Sequence, residues 1–149
     1  KKIIIVGEGP LEKELKQKVT DYELSNVVFT GYLPDNDKVA LLKLARALVL
    51  PANSRAEAFG VCLLEASMMA KPMITAEIET GTSYVNIDGE TGYVVEPNNA
   101  SHLAQSMDKL GDNPALAEQL GKNALARFEL LFTSQKMAEA YYREYEELL

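Results

Sequence analysis

Short apolar runs that end in glycine or proline, each followed by a stripe of helical period, recur along this chain. After Lys1-Lys2, the β-branched run Ile3-Ile4-Ile5-Val6 is ended by Gly7-Glu8-Gly9-Pro10, which predicts a buried parallel strand and a turn. Pro10 suits a first helical position, and Leu11, Leu15 and Val19 set an apolar stripe among Glu12, Lys13, Glu14 and Lys16. Val27-Val28-Phe29 predicts a second strand closed by Thr30-Gly31, and Tyr32-Leu33-Pro34-Asp35 leads into a helix through Val39, Leu42 and Ala45. Ala47–Leu50 is a third strand stopped by Pro51, and a helix over about Phe59–Met69 ends at Lys71-Pro72. Met73-Ile74-Thr75 is a fourth strand, and Tyr93-Val94-Val95, after a polar stretch from Glu77 to Gly92, is a fifth. The remainder reads as helix over Ala100–Leu110, Pro114–Leu131 and Thr133–Leu149, each opened by a capping residue or proline. Alternating strand and helix with short connections predicts the α/β class: a doubly wound, Rossmann-like parallel sheet covered on both faces. Ligands of such sheets bind outside the carboxyl ends of the strands. The loops to watch are Gly7-Glu8-Gly9, Gly31-Tyr32, Asn53–Gly60 and Ile78–Ser83.

Composition narrows the classes. The chain has 149 residues, 47% hydrophobic and 25% charged, which fits one globular domain with one core. Fifteen basic residues against 22 acidic ones leave a net charge of −7, which repels polyanions, so no nucleic-acid partner is expected. With one cysteine and one histidine, neither an internal disulfide nor a histidine-rich metal cluster is available. Neither metal nor cofactor is expected. No apolar run approaches the roughly 20 residues of a membrane span. Because the numbering begins at Lys1 rather than at methionine, the chain reads as a segment of a longer polypeptide.

Two constellations carry chemistry. Gly7-x-Gly9 after a strand has the start of a dinucleotide fingerprint, but Glu12 stands where the third glycine belongs and the second strand ends in Thr30 rather than an acid. Two glycines permitting a tight turn is the weightier reading. The sharper feature is Glu57-Ala58-Phe59-Gly60-Val61-Cys62-Leu63-Leu64-Glu65. Residues at this spacing share a helix face, so the two carboxylates are expected to converge at one helix end. Between them, Ala58, Phe59, Gly60 and Val61 are expected to offer free N–H groups and a positive dipole end, a seat for an anion. An anion seat flanked by carboxylates suits a phosphate attached to something rich in hydroxyls. The plainer reading makes Glu57 a helix-start residue and Glu65 a solvated acid. Against it, Glu65 sits in the otherwise apolar Leu63–Met69, where a carboxylate needs a partner.

Val-Gly-Glu-Gly-Pro at 6–10, Phe-Thr-Gly-Tyr-Leu at 29–33, Asn53–Gly60 running into Leu64-Glu65-Ala66, Lys71-Pro72-Met73-Ile74 and Asp88-Gly89-Glu90-Thr91-Gly92 follow one another in order over nearly the whole chain. In this the sequence resembles the C-terminal, nucleotide-sugar-binding half of a retaining group 1 (family 4) glycosyltransferase of the two-domain GT-B type. The resemblance implies that Glu57 contacts hydroxyls of the donor sugar as the catalytic residue. Glu65 would hold the ribose, and the backbone of Phe59, Gly60 and Val61 would meet sugar and diphosphate. Gly31, Tyr32 and Leu33 would lie near the base, with Gly7 in the same donor site. It further implies a UDP- or GDP-linked donor, and a glycan or lipid-linked acceptor handled by an N-terminal domain through which the parent associates peripherally with a membrane. The location implied is cytoplasmic, at the inner face of that membrane.

Thr80-Gly81-Thr82-Ser83-Tyr84 replaces the family's two glycines and Pro-Glu pair, so a contact through that acid is not carried over. This stretch resembles bacterial mannosyl- or rhamnosyltransferases of lipopolysaccharide or capsule assembly. Ala70 replaces the usual glycine before Lys-Pro, which bears on a helix end only. The family's diphosphate-binding Arg and Lys fall before Lys1, and the crevice is acidic without them. The chain by itself is therefore expected to fold, to be inactive and to bind nucleotide weakly. His102 reads as a surface residue and Cys62 as a small buried hydrophobe. Met137, Tyr141, Tyr145 and Leu148 form a stripe for core or interdomain packing. The competing function is a non-catalytic nucleotide-binding module of doubly wound type. An NAD-linked enzyme ranks below both.

Overall fold

The computed structural model describes residues 1–148. It contains two compact units, Lys1–Ala40 and Leu41–Leu149. In the first, β1 (Ile3–Val6), α1 (Glu12–Asp21) and β2 (Val27–Gly31) form a parallel two-stranded sheet with its crossover helix. The register slips between Ile5, paired with Phe29, and Val6, paired with Gly31, leaving Thr30 as the extra residue. β1 is parallel as expected, but it is not buried: Ile4 and Val6 are each 45% exposed. Two strands and one helix are too few to cover both faces of a sheet, so the apolar run marks a strand without supplying its cover. α1 begins two residues after Pro10, and Leu11 at its start is exposed as well. α2 (Asp35–Leu44) runs from this unit into the second.

The second unit holds the buried core. β3 (Leu48–Leu50), β4 (Met73–Ala76) and β5 (Gly92–Val95) make a parallel sheet with β4 in the centre. α3 (Val61–Met68), a short α4 (Gly81–Val85), α5 (Ala100–Asp112), α6 (Pro114–Leu131) and α7 (Ser134–Glu147) complete it. β4 is buried on both faces, as a run without polar alternation requires. Ile74 and Ala76 join Val95, Leu110, Ala117 and Leu120 in one cluster, while Met73 joins Leu63, Ala66, Val85 and Ala124 in the other. Each fully buried Leu or Ile contributes about 1.5–3 kcal/mol. All residues of both clusters lie beyond position 60.

α3 stops at Ala70, which takes φ 52° while the Lys71 N–H donates to Ala66 O. A left-handed alanine costs about 1 kcal/mol that a glycine would not. The polar stretch from Glu77 to Gly92 contains α4, which the hydrophobic pattern does not reveal. Behind it lies Asn86, fully buried. Its Nδ2 donates to Thr75 Oγ1 (3.0 Å) and Tyr93 O (3.0 Å), and its Oδ1 accepts from Thr91 Oγ1 (2.9 Å). The Asp88–Gly92 motif is likewise structural: Asp88 Oδ1 accepts from Val94 N and Gly89 N donates to Gly92 O. His102 N donates to the Asn99 cap that starts α5. The stripe on α7 is not core, since Met137, Tyr141, Tyr145 and Leu148 are exposed. The predicted helix end at Leu149 lies outside the described residues.

Candidate functional site

Glu57 lies in the loop between β3 and α3, and its carboxylate folds that loop. Oε1 accepts from Gly60 N at 2.8 Å and Phe59 N at 3.4 Å, while Glu57 N donates to Ser54 O. Gly60 then turns into α3 with φ 80° and ψ 64°. A Cβ there would lie 2.7 Å from Leu63 Cδ1 and 3.1 Å from Leu50 Cδ2, so the left-handed turn and the space both require glycine. The helix therefore begins at Val61, not Phe59. This corrects the expected anion seat: the amides of Phe59 and Gly60 are not free but held by Glu57, and a phosphate placed on them would meet a like charge.

Glu65 is the fifth residue of α3 and is half-buried; among the described residues its carboxylate has no hydrogen-bond or ion-pair partner. Cys62 stands between the two acids in the sequence and feels the charge of both. Burial pushes its thiol up from the ordinary range, and the negative charges of Glu57 and then Glu65 push it in the same direction. The loops after the three strands are tied together: Gly81 N donates to Ala58 O (2.9 Å) and Asn53 Nδ2 to Asn98 Oδ1 (3.0 Å). Glu77 Oε1 accepts from Glu79 N and Ser83 Oγ in the loop after β4.

In the first unit, Gly7 N donates to Gly31 O at 2.8 Å, and Glu8 Oε1 accepts from Tyr32 N at 3.3 Å. The tyrosine is 72% exposed and Leu33 half-buried. Gly7, Gly31 and Tyr32 are thus brought together in one unit, and Glu57, Phe59, Gly60, Val61 and Glu65 in the other. The first turn of α1 carries Glu12 and Glu14, the wrong charge for a dinucleotide pyrophosphate.

The model of the family described as glycosyl transferases group 1 matches residues 2–127. The chain belongs to this family. It is 44% identical over 147 residues to O-antigen chain mannosyltransferase C of Escherichia coli, covering 99% of this chain and 40% of the relative. It is 51% identical over 132 residues to D-rhamnosyltransferase WbpZ of Pseudomonas aeruginosa, covering 89% of this chain and 35% of that one. The chain thus spans well under half the length of these relatives. Among solved structures, sucrose-phosphate synthase of Thermosynechococcus elongatus superposes with a TM-score of 0.85 at 27% identity, over 97% of this chain and 38% of that one. Anabaena HepE, solved in complex with UDP, superposes with a TM-score of 0.82 at 23% identity, over 95% of this chain and 41% of that one. The fold is the Rossmann-like C-terminal domain of GT-B glycosyltransferases.

Within this glycosyltransferase domain three residues escaped the sequence reading. Phe132, after α6, meets Phe59 edge-on (centroids 6.3 Å) and Tyr84 of α4 (5.7 Å), and Arg127 of α6 lies over the Tyr84 and Phe132 rings. The only signal in the sequence was a phenylalanine beside the glutamate motif, without any hint of what it packs on. The placement of Cys62 is open to test. Because the thiolate is the reacting form, Cys62 is expected to react with iodoacetamide several-fold more slowly than free cysteine at about pH 8, its rate still climbing well above the free pKa of about 8.5. A rate equal to that of free cysteine would contradict the burial and the two carboxylates.

Proposed function

We propose that this chain is the donor-binding domain of a retaining glycosyltransferase. The parent transfers a mannose- or rhamnose-type sugar from a nucleoside diphosphate to a glycan or lipid-linked acceptor. Family membership and the mannosyl- and rhamnosyltransferase relatives support the transferase reading over a non-catalytic nucleotide-binding module. A fold neighbour that holds UDP supports a nucleotide-sugar donor. The observation that carries the reading is Glu65, a half-buried carboxylate with no partner among the described residues, on the helix that follows the loop of a second carboxylate. Ionised carboxylates accept strongly from paired hydroxyls, and a ribose presents two of them. Glu65 takes the ribose and Oε2 of Glu57, which makes no hydrogen bond among the described residues, takes a sugar hydroxyl, while Glu57 Oε1 stays on the loop amides.

The reading assigns no metal to the transfer and places the parent in the cytoplasm. The experiment is calorimetric titration of the full-length parent with UDP- and GDP-sugars. Glu65→Ala is expected to weaken binding of the cognate donor by at least tenfold, the scale of one charge-assisted hydrogen bond. Wild-type affinity in that variant would sink the ribose role. Retention is read from the anomeric configuration of the product by NMR.

A further inference from the structure

Outside the two glutamates, the arrangement that asks for an explanation is Arg127. The side chain is half-buried and meets no carboxylate among the described residues. Its Nη2 donates to Tyr84 O at 2.6 Å, its Nε is buried and has no acceptor among the described residues, and its guanidinium lies 5.3 Å from the Tyr84 ring centroid and 5.7 Å from that of Phe132. A partly desolvated cation without a counter-charge is unfavourable, and two ring faces compensate only in part. A simple packing role would be filled more favourably by an apolar residue of similar volume. What the guanidinium adds is direction: it fixes a backbone carbonyl and two ring planes at once.

Those rings lead to the site. Phe132 meets Tyr84 at 88° and Phe59 at 74°, both edge-to-face. Phe59 donates its N–H to Glu57 Oε1, and the next residue back, Ala58, accepts from Gly81 N at the start of α4, the helix that carries Tyr84. A Cβ on Gly81 would come within 2.6 Å of the Phe59 ring, so this ring has no slack toward α4. We infer that Arg127 is a positioning residue for transfer: through Tyr84 and Phe132 it sets the seat of Phe59, and with it the Glu57 carboxylate. Tyr84, Arg127 and Phe132 all lie outside the Glu57–Glu65 motif, so the clamp is built from residues that the glutamate motif does not contain. The inference rests on the donor reading above.

The test is a double-mutant cycle in the full-length parent, with kcat and KM for the nucleotide sugar measured alongside thermal melting. Arg127→Met is expected to lower kcat about tenfold, since displacing a reacting group by an ångström has effects of up to about a hundredfold. The donor KM is expected to change much less. Combined with Glu57→Gln, it should lower activity no further than Glu57→Gln alone, because the group that it positions is already disabled. Phe132→Leu should behave like Arg127→Met, whereas Phe132→Tyr, which keeps the ring edges, should retain kcat. Losses that multiply with Glu57→Gln, or an Arg127→Met kcat within twofold of wild type, would overturn the inference. Should Arg127→Met not fold, Phe132→Leu carries the same cycle; failure of both to fold would assign the cluster to stability alone and overturn it as well. Wild-type activity in Glu57→Gln would instead overturn the donor reading, and shows before the cycle is closed.

Discussion

Replacing Glu57 by glutamine in the full-length enzyme is expected to lower kcat/KM by about 10²–10³, equivalent to about 2.7–4 kcal/mol, with little change in melting temperature. The separation follows from the two oxygens. Oε1 accepts from Gly60 N and Phe59 N, and a glutamine carbonyl accepts the same two bonds. Under the donor reading, what the amide would not supply is the charge that takes a sugar hydroxyl and steadies a centre growing positive as the diphosphate leaves. Glu57→Ala should differ in kind, because it also deletes the loop's own cap, and about 1 kcal/mol of stability should go with it. Kinetics and thermal melts on both variants decide the matter. A glutamine variant with near-normal kcat/KM would make Glu57 a structural cap only.

Gly92→Ala is expected to bring the protein close to unfolding. The added Cβ would stand 1.8 Å from Met73 O and 2.7 Å from Met73 C and N, all backbone atoms of the central strand. No rotamer relieves such a clash, so β5 must move away from β4. That loosens the Met73–Gly92 register, the Met73 N to Thr91 O bond and the Asn86 bridge to Tyr93 O. The cost should exceed about 4 kcal/mol, a large share of a stability of about 5–15 kcal/mol. Gly89→Ala is the matched control: its φ of 72° strains an alanine, but its Cβ would meet nothing within 4 Å, so the cost should stay near 1 kcal/mol. Urea denaturation of the two variants gives the comparison. Similar midpoints would mean that β5 has room the geometry denies.

The sequence carried the strand and helix order because each apolar run was both short and punctuated. β4 was legible as a strand from the apolar run Met73-Ile74-Thr75, and it is buried on both faces. The Ile3–Val6 run gave the same signal and turned out half-exposed, since apolar pattern records what a strand needs and not what covers it. The placement of Glu57 before α3 and of Glu65 within it was legible from their spacing. The start of α3 was not, because the left-handed turn at Gly60 and the use of Glu57 as its own loop's acceptor are tertiary choices that spacing does not express. Asn86 was invisible for a related reason. An asparagine in a polar stretch looks like loop, and only the closed set of partners around it shows a buried joint.

The lacing of the three loops at the strand ends bears on how a ligand is received. With Ala58 tied to Gly81, Asn53 to Asn98 and Glu57 to its own following amides, the conformational freedom of this wall is surrendered when the chain folds rather than when a ligand arrives. A donor that settled on Glu57 and Glu65, as proposed, would therefore have little ordering left to impose on this wall, and more of its contact energy would appear as affinity.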